Sequence, residues 1–116
     1  MKFEVKDNVA LVREAGLLIT DVQSALDLIA TVSYETDCQA MILPKAALAE
    51  DFFRLPTGLA GEVLQKFVNY HMRLAVVGDF SSYMSKSLKD FIYESNKGNG
   101  VFFVADEEEA LARLSR

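Results

Sequence analysis

Three short runs of consecutive apolar residues most constrain what this chain can fold into. They are residues 40–43 (AMIL), 74–77 (LAVV) and 101–104 (VFFV). Runs of this length without a polar residue are typical of strands that are buried on both faces of a parallel sheet. Segments with the apolar spacing of helices separate them. The sequence therefore predicts parallel strands joined by right-handed helical crossovers.

The first twelve residues predict a hairpin ahead of these strands. Residues 3–6 alternate between apolar and polar, Asp7 and Asn8 are typical of a turn, and residues 9–12 (VALV) are a second strand. The predicted element order is β-β-α-β-α-β-α-β-α. We therefore expect an α/β fold in which helices pack on one mixed β-sheet, as a single domain that spans residues 1–116.

Capping residues predict where each helix begins, because Ser, Thr, Asp and Asn side chains accept hydrogen bonds from the first free amides of a helix. The predicted starts are, in chain order, Thr20 with Gln23, Thr57 with Gly58, Ser81 or Ser82, and Asp106 with Glu109.

Composition narrows the classes of function. The formal net charge of −5, from 17 acidic and 12 basic residues, argues against nucleic-acid binding, since neutralising phosphates requires clustered Lys and Arg. The single cysteine, Cys38, excludes an internal disulfide and a multi-cysteine metal site. No apolar run approaches the roughly 18 residues of a membrane span, and the first residues do not resemble a signal peptide. We expect a cytoplasmic protein without metal, cofactor or membrane insertion.

Ligands of open α/β sheets gather beyond the carboxyl ends of the strands. The segment at residues 51–62 (DFFRLPTGLAGE) follows a predicted strand at that edge and is the most chemically varied stretch of the chain. The candidate binding residues at this edge are Lys45, Asp51, Phe52, Phe53, Arg54, Thr57, Asp79, Ser81 and Ser82.

Thr57 and Gly58 precede the second predicted helix, where free amides and the helix dipole favour an anion. The Thr57 hydroxyl is therefore a candidate for holding an anion or for accepting a phosphoryl group. The alternative is a plain helix cap. No lysine follows the glycine, so a P-loop is excluded.

Phe52 and Phe53 are adjacent, so in an extended segment one ring points inward and the other outward. An outward ring would be an anchor for a partner or for a second copy of the chain, whereas the alternative is that both pack in the core. Asp79 beside Ser81 and Ser82 suggests a metal or phosphate site, but a capping turn explains the same residues.

The single histidine, His71, and Cys38 do not form a recognisable catalytic arrangement. A general base needs an orienting acid and a nucleophile, and no spacing in the sequence supplies them. His71 is predicted to be a helix-end residue and Cys38 a structural cysteine. The sequence therefore predicts no catalytic residue and favours a protein that is not an enzyme.

Four segments together resemble a family of uncharacterised small bacterial proteins, domain-of-unknown-function family 4180. They are residues 51–67 (DFFRLPTGLAGEVLQKF), 74–79 (LAVVGD), 91–97 (FIYESNK) and 104–111, which closes with EEAL. The resemblance covers nearly the whole chain and implies no particular activity.

The element order, the helix start at residues 57–61 (TGLAG) and the acidic last helix are similar to STAS domains, the anti-sigma-factor antagonists. That resemblance implies a non-enzymatic regulatory module that binds a protein through the edge around a helix start. In STAS domains a phosphorylated serine or threonine there switches binding, which makes Thr57 the phosphoacceptor position. This chain departs from the pattern at Leu55, where an acid is expected, at Pro56, and in its longer loop over residues 43–57.

Three hypotheses follow. The first is a STAS-like regulatory or protein-binding module that acts through residues 51–58 and 79–83. The alternative is a domain, or weak enzyme, that binds a lipid or anionic small molecule in a pocket under Phe52 and Phe53, with Lys45 or Arg54 holding the head group. The third is self-association through an exposed Phe52 or Phe53.

Overall fold

Five strands form one mixed sheet in the order β1-β2-β3-β4-β5 in the computed structural model, which describes residues 1–115. The strands are β1 (Phe3–Lys6), β2 (Val9–Val12), β3 (Ala40–Pro44), β4 (Arg73–Val77) and β5 (Val101–Val104). β1 is antiparallel to β2, and β2 to β5 are parallel to one another. The predicted α/β class and the mixed sheet are confirmed.

The opening hairpin has the two-residue turn that its sequence predicts. Asp7 and Asn8 have φ angles of 53° and 64°, in the left-handed region that two-residue hairpin turns require. Lys6 pairs with Val9 and Phe3 with Val12, so the register is fixed directly by the turn. β1 is left at one edge of the sheet.

Four helices connect or follow the parallel strands. They are α1 (Val22–Thr36), α2 (Leu59–Asn69), α3 (Lys86–Lys97) and α4 (Glu107–Leu114). Between β3 and α2 the chain makes three short 3₁₀ turns, Lys45–Ala47, Glu50–Phe53 and Leu55–Thr57.

Two of the four predicted helix starts are wrong, and at α2 the N-cap is Gly58, without a side-chain cap bond, and not Thr57. α1 is capped by Asp21, whose carboxylate accepts from the Ser24 amide at 2.8 Å, and not by Thr20. α3 is capped by Ser85, because the Asp79–Ser81 turn keeps the preceding residues out of the helix. The cap of α4 is confirmed, since the Asp106 carboxylate accepts from the Glu109 amide at 2.9 Å.

Both faces of the parallel strands β2 to β5 are largely buried, which explains why their sequences are almost entirely apolar, whereas the edge strand β1 is mostly exposed. One face packs against α1, α2 and α3. Its strand residues include Ala10, Met41, Leu43, Leu74, Val76 and Phe103. The other face is covered by Ala110 and Leu114 of α4. Its strand residues include Val9, Leu11, Ile42, Ala75, Phe102 and Val104. Among residues 1–115, no helix is long and apolar enough to cross a membrane.

Candidate functional site

The loops at the carboxyl ends of β3 and β4 meet at one edge of the molecule. We call this edge the rim and define it as Lys45, residues 51–58 and residues 79–83. It contains all nine candidate binding residues of the sequence analysis. The end of β5 lies beside the rim, because the amide of Gly78, just ahead of the second rim loop, donates to the carbonyl of Val104 at 3.0 Å.

Lys45 ties the two loops together. Its Nζ donates to the carbonyl oxygen of Asp79 at 2.9 Å and lies 4.5 Å from the ring centroid of Tyr83. The same ammonium is 5.7 Å from the Phe80 centroid. The stem of Lys45 crosses directly over Gly78, where an added Cβ would lie 2.6 Å from the Lys45 Cβ. Position 78 is therefore a glycine because the lysine passes over it.

Asp79 and Ser81 form a tight turn at the end of β4. The Asp79 Oδ1 atom accepts from the Ser81 amide at 2.9 Å and from the Ser81 hydroxyl at 2.6 Å. These bonds, chiefly the one from the hydroxyl, hold the pKa of the Asp79 carboxyl below its usual value, and the charge of Lys45 lowers that pKa further. The contacts are those of a capping turn, and Ser82 follows as an exposed residue.

Phe52 and Phe53 are both buried, with exposed fractions of 1% and 3%. The Phe53 ring stacks on Tyr83 at a centroid distance of 5.3 Å, and the Phe52 ring lies 5.1 Å from it. The segment is a 3₁₀ turn and not an extended strand, so adjacent side chains are not forced to opposite sides. The expectation of one outward ring is wrong, and the packing of both in the core is confirmed.

Burial of these two rings removes two roles proposed for them. Neither phenylalanine can anchor a partner or a second copy of the chain while it is packed in the core. Phe52 and Phe53 pack against Phe103, Phe80 and Tyr83 beneath the loop, where a small-molecule pocket was expected. The Lys45 ammonium, proposed to hold an anionic head group, is already bonded to the Asp79 carbonyl.

Apart from Pro56, the exposed side chains of the first rim loop are polar. Asp51 and Arg54 form an ion pair at 3.2 Å, with 60% and 66% of their side chains exposed. Pairs this exposed contribute little to stability, so these charges are available for other contacts.

Thr57 lies in the same loop and links it to α2. Its hydroxyl lies 2.8 Å from the carbonyl oxygens of both Asp51 and Arg54, which share its single proton. Its Oγ1 atom also accepts from the Leu59 amide at 3.2 Å. Gly58, between Thr57 and Leu59 in the chain, has a φ of 79°, a conformation that glycine adopts without strain. The hydroxyl therefore closes the loop and satisfies the first amide of α2, while the residue itself is exposed.

Tyr83 is the rim residue that sequence analysis did not single out. Its hydroxyl oxygen is buried and lacks a hydrogen bond of normal geometry within residues 1–115. Burial, with a contribution from the nearby Glu50 carboxylate, raises the pKa of Tyr83 to about 12. No sequence pattern marks this residue, because its position depends on Phe53 and Lys45, which lie about 30 residues or more away in the chain.

His71 and Cys38 lie at the opposite end of the sheet, ahead of the amino ends of β4 and β3. Cys38 is buried and free, which confirms a structural cysteine. His71 is exposed and has a φ of 55° just after α2, as expected for a residue at a helix end. Within the described residues, no three His, Cys, Asp or Glu side chains are grouped closely enough to hold a metal ion.

Comparison with known families gives one match. The family model described as "Domain of unknown function (DUF4180)" matches residues 4–114. Neither the curated proteins nor the solved structures contain a match. The matched region includes every residue of the rim.

Proposed function

The chain belongs to the family described as a domain of unknown function (DUF4180), and on that premise we propose that it is a non-enzymatic, STAS-like regulatory module that binds a protein partner through the rim. A reducing, cytoplasmic location is part of the proposal, because the only cysteine, Cys38, is a free thiol.

The observation that carries this proposal is the stacking of Phe53 on Tyr83. The two rings belong to different rim loops and lie 5.3 Å apart at an interplanar angle of 21°. The ring of Phe80, also from the second loop, has its centroid 6.0 Å from that of Phe53. We call the rings of Phe53, Phe80 and Tyr83 the aromatic floor. Their packing holds both loops in one conformation in the absence of a partner. A preformed surface loses little conformational entropy on binding, which favours affinity.

The chemistry above this floor suits recognition of a protein. Asp51 and Arg54 present opposite charges that are mostly exposed, and Ser81 and Ser82 add exposed hydroxyl groups. Exposed charges of both signs give specificity and speed association more than they add affinity.

We further propose that Thr57 is a phosphorylation site that regulates this surface. A phosphate there would add a charge of about −1.5 to −2 beside Asp51 and at the start of α2. The amides and dipole of α2 would stabilise that charge. The hydroxyl would give up its hydrogen bonds to the Asp51 and Arg54 carbonyls, which would alter the loop. An acidic partner would then bind more weakly.

Affinity capture with charge-reversal variants tests the docking surface. The immobilised chain is expected to retain one protein in stoichiometric amount from its native lysate, and Arg54→Glu is expected to abolish retention. Lys89→Glu is the matched control, because Lys89 is an exposed cation on α3, outside the rim. Retention that survives Arg54→Glu, or is lost equally with Lys89→Glu, would contradict the proposal.

Thr57→Glu and Thr57→Ser test the regulatory part separately. The glutamate should weaken capture at least tenfold, and the serine should leave it unchanged. Ser33→Glu adds the same charge at an exposed position of α1 and serves as the control. Equal capture by the Thr57→Glu and wild-type proteins would remove the regulation while leaving the docking surface intact.

A further inference from the structure

The outer edge of β1 carries backbone groups that no strand of the sheet satisfies. β1 is the first strand in the sheet order, so only β2 lies beside it. The two-residue turn makes Lys6 and Val9 a hydrogen-bonded pair, and hydrogen-bonded pairs then recur at every second residue. The bond from the Arg13 amide to the Lys2 carbonyl, at 2.9 Å, fits this alternation. The N–H and C=O groups of Phe3 and Val5 therefore point away from the sheet.

The opposite edge of the sheet is protected. In β5 the carbonyls of Gly100 and Val104 accept bonds from the β4 side, so Phe103 has its backbone groups on the outer edge. The side-chain amide of Asn96 occupies both of them, accepting from the Phe103 N–H at 2.8 Å and donating to its C=O at 3.1 Å. A strand cannot add at that point, whereas β1 has no such cover within the described residues.

The exposed face of β1 is apolar at its centre. Val5 is 52% exposed, although it lies on the same side of the sheet as the buried Ala10 with which it pairs. Glu4 and Lys6 point to the other side and are also exposed. An unpaired edge with an exposed valine at its centre is a site for strand addition.

We propose that β1 pairs antiparallel with β1 of a second copy of this chain, about a two-fold axis at Val5. The N–H and C=O groups of Val5 then bond to those of Val5 in the other copy, and the two valine side chains bury each other. Five strands from each copy join into one continuous sheet. This surface is separate from the rim, and the inference does not depend on the proposed function.

Charge selects this register over its neighbour. With Val5 opposite its own counterpart, each Glu4 lies opposite Lys6 of the other copy, which gives two opposite-charge pairs. A shift of the partner strand by two residues would place Glu4 opposite Glu4 and Lys6 opposite Lys2. Like charges that lie directly opposite each other destabilise a sheet, so only the first register is favoured among those that keep three residues of each strand paired.

The short strand limits the strength of the contact. β1 has four residues, so the dimer should be weak and should appear only as the protein concentration rises. Lysines on an edge strand usually discourage pairing with other chains. In the proposed register, however, Lys6 lies opposite Glu4 of the second copy, so this lysine favours the pairing.

Sedimentation velocity over a concentration series from about 10 µM to 1 mM tests the proposal. The wild-type chain is expected to shift from monomer towards dimer across this range. Val5→Pro removes the outward N–H without touching the bonds to β2, and should keep the chain monomeric. Lys6→Glu should also abolish the dimer, by placing Glu4 opposite a glutamate.

The double variant with Glu4→Lys and Lys6→Glu distinguishes this register from general association. It exchanges the two charges, so each lysine again lies opposite a glutamate and the dimer should return. Because this variant has the wild-type net charge, non-specific attraction cannot account for its recovery. A wild-type chain that stays monomeric at 1 mM, or a double variant no more dimeric than Lys6→Glu alone, would overturn the proposal.

Discussion

Arg73 at the start of β4 donates through Nη1 to the carbonyl oxygen of Leu114 at the end of α4, at a distance of 2.8 Å. The same guanidinium donates to the carbonyls of Arg113 and Asn99, at 3.2 and 2.7 Å. A helix leaves its last carbonyls without partners, and a cation at that end also complements the helix dipole. Arg73 thus fastens α4, the only helix that the described residues place on that face of the sheet.

Replacing Arg73 with methionine should destabilise the fold by about 2 kcal/mol, because a hydrogen bond from a charged donor contributes roughly 1.5–3 kcal/mol. Methionine keeps most of the apolar stem, so the loss reports on the hydrogen bonds. Urea unfolding followed by circular dichroism measures it. Arg54→Met is the control, since within residues 1–115 the Arg54 side chain makes only an exposed ion pair, and it should change stability by less than about 0.5 kcal/mol. Equal effects of the two substitutions would contradict this account.

Gly78→Ala should destabilise the fold by about 1–3 kcal/mol, the usual cost of overpacking. The new methyl group would lie 2.6 Å from the Lys45 Cβ, an atom close to the backbone that cannot easily move aside. Gly61→Ala is the matched control, because a Cβ at that position of α2 meets nothing within 4 Å. Alanine within a helix is favoured over glycine by about 0.5–1 kcal/mol, so this variant should be more stable than the wild type. A Gly78→Ala protein with unchanged Tm would show that the loop yields.

Tyr83→Phe should leave stability at pH 7 unchanged or raised, since it removes a buried hydroxyl that lacks a hydrogen bond of normal geometry among residues 1–115. The pKa of Tyr83 is raised to about 12 from its ordinary value of 10.0, so the folded state holds this proton more tightly than the unfolded state does. The resulting stability is complete below about pH 10 and is lost as the pH rises towards 12.

Urea unfolding of both proteins between about pH 8 and pH 11.5 measures this alkaline loss. The wild type should lose more stability than Tyr83→Phe over that range. Absorbance titration of tyrosinate supplies an independent reading, since one of the four tyrosines should ionise later than the others. Parallel pH profiles would show that the buried hydroxyl is not the cause.

Asp79→Asn should lower stability at neutral pH and have a smaller effect in strong acid. The pKa of the Asp79 carboxyl is lowered from 3.8 by its bonds from Ser81. Its contribution to stability is therefore present above the unfolded-state pKa and is lost as the pH falls through the lower folded-state value.

Carbon-detected NMR titration of the Asp79 carboxyl measures the pKa directly. Ser81→Ala removes the hydroxyl bond, which is the largest cause of the shift, and should move that pKa back towards 3.8. An Asp79 pKa that is the same in the wild type and in Ser81→Ala would refute the assignment.

The sheet could be predicted from sequence because burial on both faces leaves a direct record in the strands. Residues such as Met41 and Ile42 face opposite cores, yet both are apolar. The cap at Asp106 was also predictable, since its partner Glu109 is only three residues away. Such features depend on the type of the residue itself or on residues that are close in the chain, so the sequence alone predicts them.

The rim could be located but not described in advance. That Phe53 is buried depends on Tyr83, which is far away in the chain and comes close only when β3 and β4 lie side by side. The start of α3 was misplaced for a related reason, because Ser81 and Ser85 are equally good caps by type. Only the bond between Ser81 and Asp79 decides that the helix begins at the later serine.

Across residues 1–115 the strands follow one another through the sheet in chain order, and the three crossover helices belong to a single core cluster. In open α/β sheets, the crevice that admits a coenzyme or sugar opens where the winding reverses and neighbouring loops part towards opposite faces. A sheet in which successive strands are added in one direction only has no such reversal point. Within these residues the rim therefore does not lie at a reversal of the winding, which is the place where such folds usually bind a coenzyme or sugar.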